Sequence, residues 1–219
     1  MAWILSINST DAKPRTRFAA GHGCAGGRKG HHGVLQIIIQ GRGGQGAQTA
    51  GNLLAMAYFA QGMQVQCFAS YGGARRGTPV SSYLRVDDRP VRLRCDIERA
   101  DAILCFDASL LEGRLLASAD AQTLIVVNSA HDAAHFAQVL PGLRVIPVDG
   151  LGIARRNGLG RIVNSALLGA FARAMQSPSL EQLAQTLVAQ APKLHDENIA
   201  ACEEGYRWAD ERLSVLGAA

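Results

Sequence analysis

Between Val34 and Gln61 an apolar, β-branched segment runs through a cluster of glycines into a proline-free stretch of small and apolar residues. Val34-Leu35-Gln36-Ile37-Ile38-Ile39 reads as a buried strand. Gly41-Arg42-Gly43-Gly44-Gln45-Gly46 then matches G-x-G-x-x-G, and Gln45 to Gln61 reads as a helix ended by Gly62. Strand, glycine turn and helix in immediate succession are the opening step of a βαβ unit. The glycines let the backbone turn sharply and approach a phosphate, which sits where the first amides of the helix lack partners. The same turn also serves simply to seat a helix on a sheet. The sequence leaves both uses open.

The rest of the chain continues the alternation. Met63 to Ser70 and Val80 to Val86 read as strands, joined by the polar turn Tyr71 to Pro79, and Asp87 to Pro90 turns into Val91-Arg92-Leu93. Ala102 to Phe106, Leu124 to Val127 and Leu143 to Val148 are further strands, with helices over Ala108 to Ser118 and Ala130 to Leu140 between them. Ile162 to Met175, Ser179 to Gln190 and Glu197 to Leu216 are helical. This pattern predicts an α/β fold: a Rossmann-like three-layer domain over 34–219, mainly parallel, with an antiparallel edge or hairpin and a helical C-terminus. Residues 10–33 show no helix or strand periodicity, and residues 1–33 read as a basic, Gly- and His-rich N-terminal extension. Its His22, Cys24, His31 and His32 match no standard metal-site spacing, and no metal ligand is assigned.

Charge is unevenly distributed. The chain has 22 Lys and Arg against 18 Asp and Glu. No carboxylate lies between Asp11 and Asp87, a window holding Lys13, Arg15, Arg17, Arg28, Lys29, Arg42, Arg75, Arg76 and Arg85. The first five belong to the extension and suit a solvated tail. Arg42, Arg75 and Arg76 sit in glycine-rich turns and suit an anionic ligand or a subunit contact. An NAD site places an acid about 20 residues beyond its glycine loop. Here that region offers Gln64, Gln66, Cys67 and Ser70 instead, so a phosphate-bearing ligand other than NAD fits better.

No G-x-S-x-G elbow, Walker lysine pattern or H-E-x-x-H is present, and no catalytic residue is assigned. Asp107 and Asn128 end their strands, where either ligand contact or helix capping is expected. Five cysteines without a C-x-x-C favour neither a disulfide scaffold nor a cluster, and Cys67 and Cys105 read as core residues. Aromatics at 5% disfavour a nucleic-acid platform, and no apolar run is long enough for a membrane span. With no basic, apolar leader over Met1 to Asn8, a cytoplasmic protein is expected.

The glycine loop together with Ser70-Tyr71-Gly72 and Arg75-Arg76-Gly77 resembles the gamma subunit of the 2-oxoacid:ferredoxin oxidoreductases, the pyruvate, ketoisovalerate and indolepyruvate type, with phenylglyoxylate-type complexes left open. The similarity continues through Asp101 to Asp107, Val127-Asn128-Ser129, Asn164 to Ala170, and Asn198 to Tyr206. Gly73 and Ala74 stand where the family has Pro and Glu, and the extension before Val34 is not part of its usual pattern. The resemblance implies a complex that oxidatively decarboxylates a 2-oxo acid on thiamine diphosphate and yields an acyl-CoA. Thiamine diphosphate, magnesium and iron–sulfur clusters are then expected on alpha, beta and ferredoxin-like delta subunits, with a flavoprotein subunit as a further candidate, and coenzyme A is contacted by this chain. The expected ligand residues are Arg42, Gly43, Gly44, Gln45 and Gly46, with Arg75 and Arg76 as phosphate or subunit contacts. The alternative is a stand-alone NADP- or CoA-binding protein of the same fold.

Overall fold

The computed structural model describes residues 33–71, 77–190 and 193–216. The extension up to residue 32 and the pair Arg75 and Arg76 lie outside the described residues. Strands β1 (Leu35–Arg42), β2 (Gln64–Tyr71), β3 (Pro79–Asp87), β4 (Ala102–Cys105), β5 (Leu124–Asn128) and β6 (Arg144–Val148) form one sheet in the order β2-β3-β1-β4-β5-β6. β1, β4, β5 and β6 are mutually parallel, while β3 pairs antiparallel with both β1 and β2. The expected antiparallel element is therefore a β2–β3 pair at one end of the sheet. Val91-Arg92-Leu93 is not a strand: residues 92–94 are all exposed, so no buried alternate face anchors a pairing.

Two helical layers flank the sheet. On one face α1 (Ala47–Ala60), α4 (Gly150–Arg156), α5 (Asn164–Met175), α6 (Leu180–Gln190) and α7 (His195–Leu216) bury Ile37, Ile39, Leu84, Leu104, Val126 and Val148. On the other, a 3-10 turn (Ala108–Leu110), α2 (Gly113–Ala117), α3 (Ala133–Val139) and the segment around Ile97 cover Ile38, Ile103, Cys105 and Val127. β1 is apolar on both sides because both layers close over it, which explains its unbroken Ile37-Ile38-Ile39 run. The helix expected over 108–118 is broken into the 3-10 turn and the short α2. α4 has no clear sequence signal, since glycines occupy two of its first three positions; the Asp149 carboxylate starts it by accepting from the Gly152 amide at 2.9 Å.

The C-terminal layer depends on close helix contact. A Cβ on Gly169 of α5 would lie 1.9 Å from the Cys202 carbonyl oxygen, and one on Gly205 of α7 would lie 2.0 Å from that of Ala166. Reciprocal glycines thus let the two backbones touch, and the amphipathic α7 is held on the core through α5. Among the described residues, Cys67, Cys95, Cys105 and Cys202 are free thiols. Burial pushes the Cys105 and Cys202 thiols up to about 12, in keeping with core positions. No helix among the described residues is long and apolar enough to cross a membrane.

Arg85, counted above in the carboxylate-free window, is only 1% exposed. Its guanidinium donates to Gln36 Oε1 at 3.2 Å, Gln66 Oε1 at 3.3 Å and the Asp96 carbonyl at 3.3 Å. It fastens the irregular segment after β3 across the sheet and takes no part in the surface field.

Gly169→Ala is expected to force α5 and α7 apart, costing about 3 kcal/mol and lowering Tm by roughly 6–12 °C in thermal unfolding. A Tm within a degree or two of the parent would show that the helices separate freely at this crossing.

Candidate functional site

The glycine loop leaves the sheet where its connections diverge. After β1 the chain crosses to α1 on one face, and after β4 it crosses to the 3-10 turn and α2 on the other. The carboxyl ends of β1 and β4, paired side by side, therefore flank a crevice, the position where open α/β sheets take ligands.

The loop's own hydrogen bonds decide which of its amides remain available. The Gly43 amide donates to the Thr78 carbonyl at 2.9 Å, and the Gly77 amide returns to the Gly43 carbonyl at 3.3 Å, extending the β1–β3 ladder. The Arg42 amide donates to Gln45 Oε1 at 2.7 Å, and the Gln45 amide to the Arg42 carbonyl at 2.9 Å. Gly44 (φ 95°) and Gly46 (φ 90°) adopt left-handed geometry that side chains resist. Their amides have no acceptor among the described residues. Gly46 caps α1 with no side-chain oxygen, and the first turn carries no acid, so the positive helix end is uncompensated. Asn164, at the start of α5, donates to the Gly46 carbonyl at 3.3 Å; a Cβ on Gly46 would lie 2.5 Å from its Nδ2.

A cleft of about 610 Å³ opens in front of these amides. Gly43 to Gly46 form one wall; Phe106, Asn128, Arg161 and Asn164 contribute to the others. Asn128 ties the rim together, donating to the Phe106 carbonyl at 3.1 Å and accepting from the Gly150 amide at 3.1 Å. No carboxylate lines the cleft among the described residues, while the exposed Arg161 supplies positive charge. This combination suits an anion.

Arg42 is placed differently from the loop glycines. Its Nε donates to Asp107 Oδ2 at 2.7 Å, Nη2 to Ser109 Oγ at 2.8 Å and Nη1 to the Gly77 carbonyl at 3.3 Å. Asp107 also caps the 3-10 turn by accepting from the Ser109 amide at 3.1 Å. Burial alone would raise its carboxyl, but hydrogen bonds from Ser109 and Arg42 outweigh this and hold it below the ordinary value. The structure thus brings Gly43, Gly44, Gln45 and Gly46 to one wall and sets Arg42 behind it, clamped to Asp107. The expectation for Arg75 and Arg76 lies outside the described residues.

Arg161 and Asn164 enter the site without having been singled out as ligand residues. Asn164 opened one of the recurring motifs, but a role beside Gly46 needs the fold to bring them together. Arg161 lies in the acid-rich remainder of the chain and resembles an ordinary surface cation there.

A lowered carboxyl contributes stability above the unfolded-chain value of about 3.9 and loses it as pH falls through the folded value. Arg42 is 38% exposed, so screening limits the pair to about 1 kcal/mol. Asp107→Asn is expected to lower stability by that amount at pH 7 in urea titrations, with the difference shrinking below about pH 4. A difference independent of pH would contradict an ionised Asp107 as its source.

Residues 36–208 match the family described as pyruvate ferredoxin/flavodoxin oxidoreductase. The pyruvate/ketoisovalerate oxidoreductases common subunit gamma of Thermococcus kodakarensis is 35% identical over 178 residues, 79% of this chain and 96% of the relative. The crystal structure of pyruvate oxidoreductase subunit PORC from Thermotoga maritima superposes with a TM-score of 0.70 at 28% identity, covering 80% of this chain and 96% of that one. A 2-oxoglutarate:ferredoxin oxidoreductase from Magnetococcus marinus, solved with 2-oxoglutarate, coenzyme A and succinyl-CoA bound, shares the fold at 20% identity and a TM-score of 0.68, over 81% of this chain and 31% of that one. The chain belongs to the pyruvate ferredoxin/flavodoxin oxidoreductase family, in which it corresponds to the gamma subunit.

Proposed function

We propose that this gamma-type chain holds coenzyme A and assembles with catalytic subunits of a CoA-acylating 2-oxoacid oxidoreductase. The observation that carries this reading is the cleft at the N-terminus of α1 that Gly44, Gly46 and Arg161 line, with no carboxylate in its lining among the described residues. The phosphates of coenzyme A are the natural anion for such a cradle, since backbone amides and a guanidinium make charge-assisted bonds to phosphate oxygens. The shared fold with an enzyme solved with coenzyme A supports the choice. Thiamine diphosphate, magnesium and the iron–sulfur clusters belong, on this reading, to alpha, beta and ferredoxin-like delta partners, where the 2-oxo acid is decarboxylated. Residues 34–219 form the functional unit, Arg75 and Arg76 serve the same phosphates or subunit contact, and residues 1–33 add subunit contacts.

Calorimetric titration with coenzyme A is expected to show binding that weakens about tenfold in Arg161→Ala, the loss of one charge-assisted contact. Titration with NADP discriminates the stand-alone alternative: NADP binding tighter than coenzyme A would overturn the proposal. So would oxidoreductase activity from the chain without partners.

A further inference from the structure

The two edges of the sheet differ in how they meet the surroundings. β6, one edge strand, is five residues long, starts with Arg144 and lacks an amide at Pro147. Trp208 Nε1 of α7 also donates to the Pro147 carbonyl at 3.2 Å. A short strand with a proline, a charge and a covering helix resists further pairing. β2, the other edge, has none of these guards. Its eight residues, Gln64-Val65-Gln66-Cys67-Phe68-Ala69-Ser70-Tyr71, include no charge, proline or glycine. All eight are in unbroken register with β3, so no bulge turns the edge away. The backbone groups of β2 that face away from β3 have no partner among the described residues.

Side chains of β2 divide between the two faces. Val65 and Cys67 pack with α1, while Phe68 lies on the opposite face against Tyr83, ring centroids 5.2 Å apart. By alternation Ala69 and Tyr71 share the Cys67 face. Tyr71 is 56% exposed. Beside this face lies a cavity of about 400 Å³ lined by Val65, Cys67, Met56, Phe59 and Ala189 among others, with no lysine, arginine or carboxylate in its lining.

We propose that a second copy of this chain occupies the edge, its β2 pairing antiparallel with the first about a two-fold axis through Phe68. The strand is complementary to itself in this register. Phe68 meets Phe68 of the second copy, Val65 meets Tyr71, Gln66 meets Ser70 and Cys67 meets Ala69. Aromatic pairs and aromatic–β-branched pairs are the favourable cross-strand combinations, and no charge is brought against another. Each pair joins positions an even number apart, so outward-facing backbone groups meet their counterparts and both sheets keep the same face. The α1–α6 layers then stand side by side. A specific interface takes about 20–30 residues a side, more than one strand supplies. The neutral cavity wall with Met56, which is 36% exposed, extends the contact on the helix side. Such isologous pairing closes on itself and removes the unguarded edge.

Sedimentation equilibrium of the full chain over a concentration series tests this, and a monomer–dimer equilibrium is expected. Tyr71→Lys, at an exposed position and judged folded by an unaltered Tm, is expected to weaken the dimer about tenfold, since both symmetry-related aromatic contacts are lost. Ala69→Cys places a thiol directly opposite Cys67 of the second copy, within disulfide reach for opposed strand residues. Mild oxidation is expected to give a covalent dimer whose peptide map joins position 69 to Cys67. Monomers at every concentration would overturn the proposal and leave the edge to a different polypeptide. Dimers that tolerate Tyr71→Lys, or that crosslink only through other cysteines, would overturn it as well.

Discussion

The turn from β1 into α1 is the constraint on which the remaining architecture depends. Two left-handed glycines, Gly44 and Gly46, let the strand end and the helix begin within four residues. The turn is pinned on both sides: Gly77 and Thr78, just before β3, take up Gly43, and Asp107 beyond β4 takes up Arg42. Because β3 and β4 flank β1 in the sheet, the loop is tied to both neighbours of its own strand. That double attachment holds the N-terminus of α1 open over the crevice. It also makes the loop a preformed concavity, so little ordering is left for a ligand to impose.

Charge in this protein is divided between holding the fold and facing the solvent. The carboxylate-free window held several arginines, yet the structure gives those that it describes quite different uses. Arg85 is buried among glutamine and carbonyl oxygens; Arg42 is clamped to an aspartate. The cation that faces the cleft, Arg161, comes from outside the window. The charge count along the sequence therefore does not show which arginine lines the cleft. Besides Arg161, the cleft wall carries the open end of α1 and two amides without an acceptor among the described residues.

Most of the fold was legible because hydrophobic periodicity and glycine punctuation agree along the chain. The Ile37-Ile38-Ile39 strand, the glycine turn, α1 and the three long C-terminal helices all follow from local pattern. α4 was not legible, since its first turn is glycine-rich and its start depends on the Asp149 side chain. Neither was the insertion of β3 between β1 and β2, which depends on register across three strands. At the site, the glycine residues were readable from spacing alone. The partners of the loop were not: Asn164 lies 118 residues from Gly46 and meets it only through the packing of α5 on α1. The commitment of Arg42 to Asp107, 65 residues away, was equally invisible. Reciprocal Gly169 and Gly205 give a packing reason for the glycine near the end of each of the two C-terminal motifs, Asn164 to Ala170 and Asn198 to Tyr206.

The central claim is that the loop keeps two amides, Gly44 and Gly46, for an anion while its other polar groups hold the fold. Two-dimensional amide NMR of the ¹⁵N-labelled chain tests this directly, because glycine amides resolve well from the rest. On adding coenzyme A, the Gly44 and Gly46 resonances should move furthest, with Gly43, already bonded to Thr78, moving little. Saturable shifts centred elsewhere, with both glycines stationary, would contradict the account.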